Sequence, residues 1–170
     1  SVAQSLSEQG IAVWFPDILG SLFLPQVSSS LSHISPKLIA ALMEDASKQK
    51  AKLFLFAEGD GVMTALSGAM AFRQQHPESE VLGGVISLSG KYFIGTPAVG
   101  QKPQWPPIVK HAQLAIYFMQ PEKSPWFWTN KETVQALESG GSLGLVQLLT
   151  GLRDRFYFRP DANAEELLVR

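Results

Sequence analysis

FLFAEGDGVMTALSGAMA, residues 54 to 71, is the stretch on which the fold turns. It opens with apolar residues of strand length and breaks at Glu58-Gly59-Asp60-Gly61. From Val62 the apolar positions Val62, Ala65, Leu66, Ala69 and Phe72 recur at helical spacing, and Pro77 ends the run. A strand, a tight turn and an alanine-rich helix in that order predict a parallel strand feeding a crossover helix.

Working outward, further apolar runs of strand length stand at Ile11 to Phe15, Lys52 to Phe56, Leu82 to Leu88, Leu114 to Met119 and Leu143 to Leu149. They are continuous rather than alternating, which predicts central strands covered on both faces. Helical patterns fall between them. Ser1 to Gln9 stops at Gly10. Ser35-Pro36 supplies a cap and a first-turn proline ahead of Leu38, Ile39, Leu42 and Met43, and Thr129 or Asn130 opens a helix ending at Gly140-Gly141. Asp161 is positioned to cap a last helix through Val169. The expectation is one α/β domain over residues 1–170, three-layered, with a mostly parallel sheet of about five strands. Ser21 to Ser35 and the proline-rich Lys91 to His111 break the alternation and read as long surface loops.

Composition excludes several classes. Of 170 residues, 45% are hydrophobic and 17% charged, with a net charge of -1, as in globular domains. Lysines and arginines are scattered, so no electrostatic footprint for nucleic acid or anionic lipid is present. There is no cysteine, which excludes disulfides and thiolate chemistry and leaves the compartment open. The uncharged stretch after Ile18 carries Pro25, Gln26, His33 and several serines, too polar to span a bilayer. No cofactor or metal is expected, since His33, His76 and His111 stand isolated without ligand spacing.

The Ala57-Glu58-Gly59-Asp60-Gly61 frame resembles the nucleophile elbow of the α/β-hydrolase superfamily, a turn so tight that its flanking residues must be small, as Ala57 and Gly61 are. The resemblance extends both ways. QSLSEQGIAVWFPDILG is similar to the helix and strand preceding the elbow strand, LAIYFMQPEKSPWF to the strand whose turn carries the catalytic acid, and VQLLTGLRDRFYFRP to the last strand and the loop bearing the catalytic histidine. By that correspondence the nucleophile, acid and base positions fall on Gly59, Ser124 and Asp154 (or Arg155, one residue later). Glycine has no side chain with which to attack a carbonyl.

The resemblance also implies strands upstream of Ser1, one lying between the runs at 11 to 15 and 52 to 56, so the sequence is expected to be part of a longer chain. A further likeness, to exported bacterial proteins that join a degenerate hydrolase-like domain to a thioredoxin-like one, implies a periplasmic or exported location. With a vacant triad, the family likeness implies a non-catalytic domain that binds a protein partner or small apolar ligand at the carboxyl end of the sheet. Tyr92, Trp105, Trp126 and Trp128, with Phe127, are expected to gather there.

Two other readings stand beside it. One is an active hydrolase with displaced residues, for which Asp60, Ser89 and His111 are the candidates: Asp60 adjoins the elbow, Ser89 ends a strand, and His111 precedes one. The other is a flavodoxin-like ligand-binding domain, the Glu58 to Gly61 loop cradling a phosphate at a helix start, against which the two carboxylates argue. Arg153, Asp154, Arg155, Arg159 and Asp161 alternate in sign, as a solvated loop does.

Overall fold

The computed structural model describes residues 2–49 and 51–159. Helices α1 (Val2–Glu8), α2 (Ile18–Ser21) and α3 (Pro36–Ser47) precede strand β1 (Leu53–Glu58). There follow α4 (Gly61–Gln75), β2 (Leu82–Leu88), β3 (Ala115–Pro121), α5 (Asn130–Ser139) and β4 (Leu143–Leu149), with single 3-10 turns between several of them. The helix expected from Asp161 lies outside the described residues.

The four strands among the described residues are all parallel and lie in the order β1-β2-β3-β4. Right-handed crossovers between strands added always on the same side must return over the same face. Accordingly α3, α4 and α5 share one core with Val85, Ile116 and Phe118. That order never reverses among the described residues, so the crevice of a doubly wound, flavodoxin-like sheet is not formed there.

Ser35 caps α3 as expected, its hydroxyl accepting from the Lys37 amide at 3.3 Å, with Pro36 at the first helical position. The alanine and glycine content of α4 allows α3 to approach closely. A Cβ on Gly68 would stand 2.2 Å from Ile39 Cγ2, so the crossing is built around the absence of a side chain. Phe72, Leu66 and Phe118 are completely or almost completely buried, each contributing about 1.5–3 kcal/mol by removal from water.

Three expectations are corrected. The run at 11 to 15 is not a strand. Ile11, Val13, Trp14 and Phe15 are exposed, and among the described residues they pair with no strand, although β1 presents a free edge. Among the described residues only β2 and β3 are central; β1 alternates in burial because one of its faces is open. The two long loops are anchored rather than superficial. Ser30 and Ile34 are buried in the first, and Tyr92, Phe93 and Val109 in the second, where one 3-10 turn, Pro107–Lys110, stands in place of a crossover helix.

Opposite the helices, a smaller cluster of Leu88, Met119, Leu149 and Phe156 closes the carboxyl end of the sheet. Nearer the amino ends of the strands, Phe54, Phe56, Leu143 and Leu145 remain exposed.

Candidate functional site

The carboxyl ends of the four strands converge on one group of turns. After β1 the chain turns at Gly59 with φ +51°, a left-handed conformation that costs an ordinary residue about 1–2 kcal/mol and glycine almost nothing. A Cβ built there would meet nothing within 4 Å, so the apex faces open space. Its backbone is tied to the next strand: the Gly59 amide donates to the Leu88 carbonyl at 3.1 Å, and the Lys91 amide donates to the Gly59 carbonyl at 3.1 Å. Asp60 stands at the start of α4 without a side-chain capping bond, its carboxylate 3.8 Å from Lys91 Nζ.

The next turn, after β2, begins with Ser89, also left-handed at φ +50° although it carries a side chain. Its amide donates to the Met119 carbonyl of β3 at 3.0 Å, fixing the turn. Its hydroxyl donates to Asp154 Oδ1 and lies 3.2 Å from Ser124 Oγ, which in turn accepts from the Trp126 amide at 3.1 Å. Ser89 and Ser124 are only 5% and 7% exposed, so this network is sealed from bulk water on the serine side. The turns holding Ser124 and Asp154 are themselves joined, the Gly151 amide donating to Glu122 Oε2 at 2.7 Å and the Lys123 amide to the Leu152 carbonyl at 2.9 Å.

Three sequence-selected residues therefore meet: Ser124, Asp154 and Ser89. Gly59 joins them through backbone bonds to the same β2 turn, and Asp60 through Lys91. His111 does not come near. It closes the turn before β3, its Nδ1 2.7 Å from the Pro107 carbonyl, at the amino end of the strands. His76 lies beside Glu44 of α3, its Nε2 4.0 Å from the carboxylate.

The expected aromatic group is divided among three places. Tyr92 is buried against Phe118, ring centroids 5.4 Å apart. Trp105 packs on the main core and donates from Nε1 to Thr133 Oγ1 of α5 at 3.3 Å. Trp128, 54% exposed, lines a groove along the outer edge of β4 with Phe127 and Leu148. Trp126 alone stands by the candidate site, edge-on to Phe93 at 5.3 Å, with Lys91 Nζ 5.7 Å from both ring centres.

Sequence reasoning missed Lys91, Phe93 and Tyr157. The first two follow Ser89 in Ser-Gly-Lys-Tyr-Phe, where Gly90 is the available signal: a Cβ there would be 2.3 Å from Ser87 Oγ and 2.8 Å from the Tyr92 ring. The buried Ser87 and Tyr92 hydroxyls approach each other without closing a well-formed hydrogen bond. Burial pushes the Tyr92 hydroxyl above the ordinary tyrosine range, and Ser87 offsets part of that rise. Burial likewise raises Tyr157, helped by the neighbouring Glu58 carboxylate.

What this arrangement can do chemically follows from its members. A hydroxyl bonded to a carboxylate and to a second hydroxyl is a satisfied buried network. A nucleophilic serine needs a base to take its proton, and a carboxylate, with an ordinary value about two to three units below imidazole, is a weak one. Among the described residues no group of acidic and histidine side chains is placed to hold a metal ion, and no helix is long and apolar enough to cross a membrane.

The parallel sheet and its connections define an α/β-hydrolase-like fold. Among solved structures the chain is similar to SOBER1 of Arabidopsis thaliana, with TM-score 0.53 and 16% identity over 87% of this chain and 65% of that one. A point variant of SOBER1 gives TM-score 0.52 at 16% identity over 87% and 66%. A predicted CIB-like hydrolase of Thermoplasma acidophilum aligns with TM-score 0.47 and 13% identity over 79% of this chain and 57% of that one. The chain thus spans 57–66% of the length of these structures, and at 16% identity the likeness to SOBER1 speaks to fold alone. No protein-family model matches the sequence, and no curated protein matches it.

Proposed function

We propose that this chain is a non-catalytic α/β-hydrolase-like domain that binds a protein partner or a small apolar ligand at the carboxyl end of its sheet. One observation carries the reading: the apex of the elbow is Gly59, left-handed and facing open space, with no group to form a covalent intermediate. Asp154, at the position corresponding to the histidine, accepts a hydrogen bond from Ser89 where a base would have to take a proton. The contact surface is the half-buried Trp126, backed edge-on by the buried Phe93, with Lys91 over its ring and Asp60 beside it, an apolar face with one cation and one anion.

A second reading has its own observation. Ser89 occupies a left-handed turn at a strand end and is bonded to a carboxylate, so a displaced Ser89–Asp154 pair is the form an active enzyme would take here. One experiment separates the two. The purified chain is treated with a fluorophosphonate probe and short nitrophenyl esters, with a denatured control. The proposal expects no labelling and no turnover above that control; labelling that Ser89→Ala abolishes would establish the second reading.

A further inference from the structure

The outer edge of β4 is unlike the edges that folded proteins ordinarily present. Its sequence, Leu143-Gly144-Leu145-Val146-Gln147-Leu148-Leu149, contains no charge and no proline, and its pairing to β3 runs through all seven positions without a bulge. Charges, prolines and bulges are the usual means by which an exposed edge is kept from pairing with another strand. Among the described residues no strand lies on its far side. Beside that edge runs a groove lined by Phe127, Trp128, Val134, Val146 and Leu148, with Lys131 at its rim. Asn130 also lines it, with its side-chain nitrogen shielded from solvent and unpartnered.

We propose that the occupant of this edge is a second copy of the chain, β4 pairing antiparallel with β4 about a two-fold axis at Val146, so that one continuous sheet crosses both copies. The argument for self-pairing is reciprocity. A two-fold at Val146 sets Leu148 of each copy against Gly144 of the other, a large side chain against none. Gly144 and Val146 share the face that α5 covers, since a Cβ on Gly144 would stand 2.9 Å from Val134.

Charge follows the same symmetry. Lys131, in the first turn of α5, rims the groove at the Leu148 end. Glu138, in the last turn, lies at the Gly144 end, its Oε1 3.6 Å from where a Gly144 Cβ would be. The two-fold that aligns Leu148 with Gly144 therefore brings Lys131 of each copy toward Glu138 of the other, twice per dimer. Both side chains are exposed, and neither has an ion-pair partner within the described residues of its own chain. A strand from an unrelated protein would have no reason to supply this swapped pair. An isologous interface supplies it automatically.

The test is sedimentation of the purified chain over a wide concentration range, with circular dichroism to verify folding. A reversible monomer–dimer equilibrium is expected. Val146→Lys should give a folded monomer, because a charge at the axis meets its own copy. Lys131→Glu should raise the dimer dissociation constant roughly tenfold, as loss of two screened ion pairs does. Lys131→Glu combined with Glu138→Lys should recover most of that loss. A chain that is monomeric at every concentration overturns the proposal, as does a dimer indifferent to Val146→Lys or a double variant no tighter than Lys131→Glu alone. If Val146→Lys fails to fold, the charge-swap pair decides.

Discussion

The two faces of the sheet are made of similar residues and have opposite surroundings. On one, Leu55, Val85, Ile116 and Phe118 lie under α3, α4 and α5; on the other, one residue along each strand, Phe54, Phe56, Leu143 and Leu145 are exposed. Composition does not separate these sets. What separates them is strand order, since strands added in sequence by right-handed crossovers send their connections over the same face. An apolar residue in a parallel strand is thus evidence for a strand, and its burial is a fact about topology.

That contrast can be tested residue by residue. Phe118→Ala should cost about 3–5 kcal/mol, read from the midpoint of chemical denaturation at unchanged slope, because the cavity would lie between sheet and helices. A loss under about 1 kcal/mol would mean that the helix layer does not hold the sheet as described. Gly68→Ala comes next. The added methyl would press on Ile39 where α3 crosses α4, and about 1–3 kcal/mol of stability should be lost, with partial recovery in Gly68→Ala combined with Ile39→Ala.

Tyr92 sharpens the comparison through pH. Its hydroxyl is held above the unfolded tyrosine value by burial, so as pH rises the unfolded chain gives up its phenolic proton first, and folding weakens above about pH 10. In that range Tyr92 contributes a falling slope of about 1.4 kcal/mol per pH unit. Tyr92→Phe should remove that slope while leaving behaviour near neutrality little changed. Equal alkaline slopes for the two proteins would mean that Tyr92 is not shielded.

The smallest effect is expected on the open face. Phe54→Ser, on the exposed side of β1, should change stability by less than about 1 kcal/mol, against the several expected for Phe118. A loss as large as that of Phe118→Ala would show that the open face is covered in solution.

Much of this organisation is readable in the sequence because it is local. Leu82–Leu88 and Leu143–Leu149 are strands over the expected residues, and Gly59 turns where the small residues around it require. Ser124 and Asp154 are picked out by the family resemblance, from the turn before Pro125 and the loop after Gly151, and the structure brings them together because each follows its strand by a short turn. The misreadings are all questions of long-range company. Ile11 to Phe15 has strand composition and pairs with no strand among the described residues. Tyr92 and Trp105 sit in a proline-rich connection that looks superficial until Phe118 and Thr133 are brought beneath them. The bond from Ser89 to Asp154 joins residues 65 apart, and no pattern within either segment announces it.

Strand order has a kinetic consequence as well. Each strand hydrogen-bonds to its neighbour in sequence, so every pairing, such as Phe56 with Ile86, Ile86 with Tyr117 or Tyr117 with Leu145, closes a segment of roughly thirty residues. No pairing must wait for a distant terminus. For a parallel sheet this is a short set of closures of nearly equal length, and any adjacent pair is topologically able to form first and recruit the next.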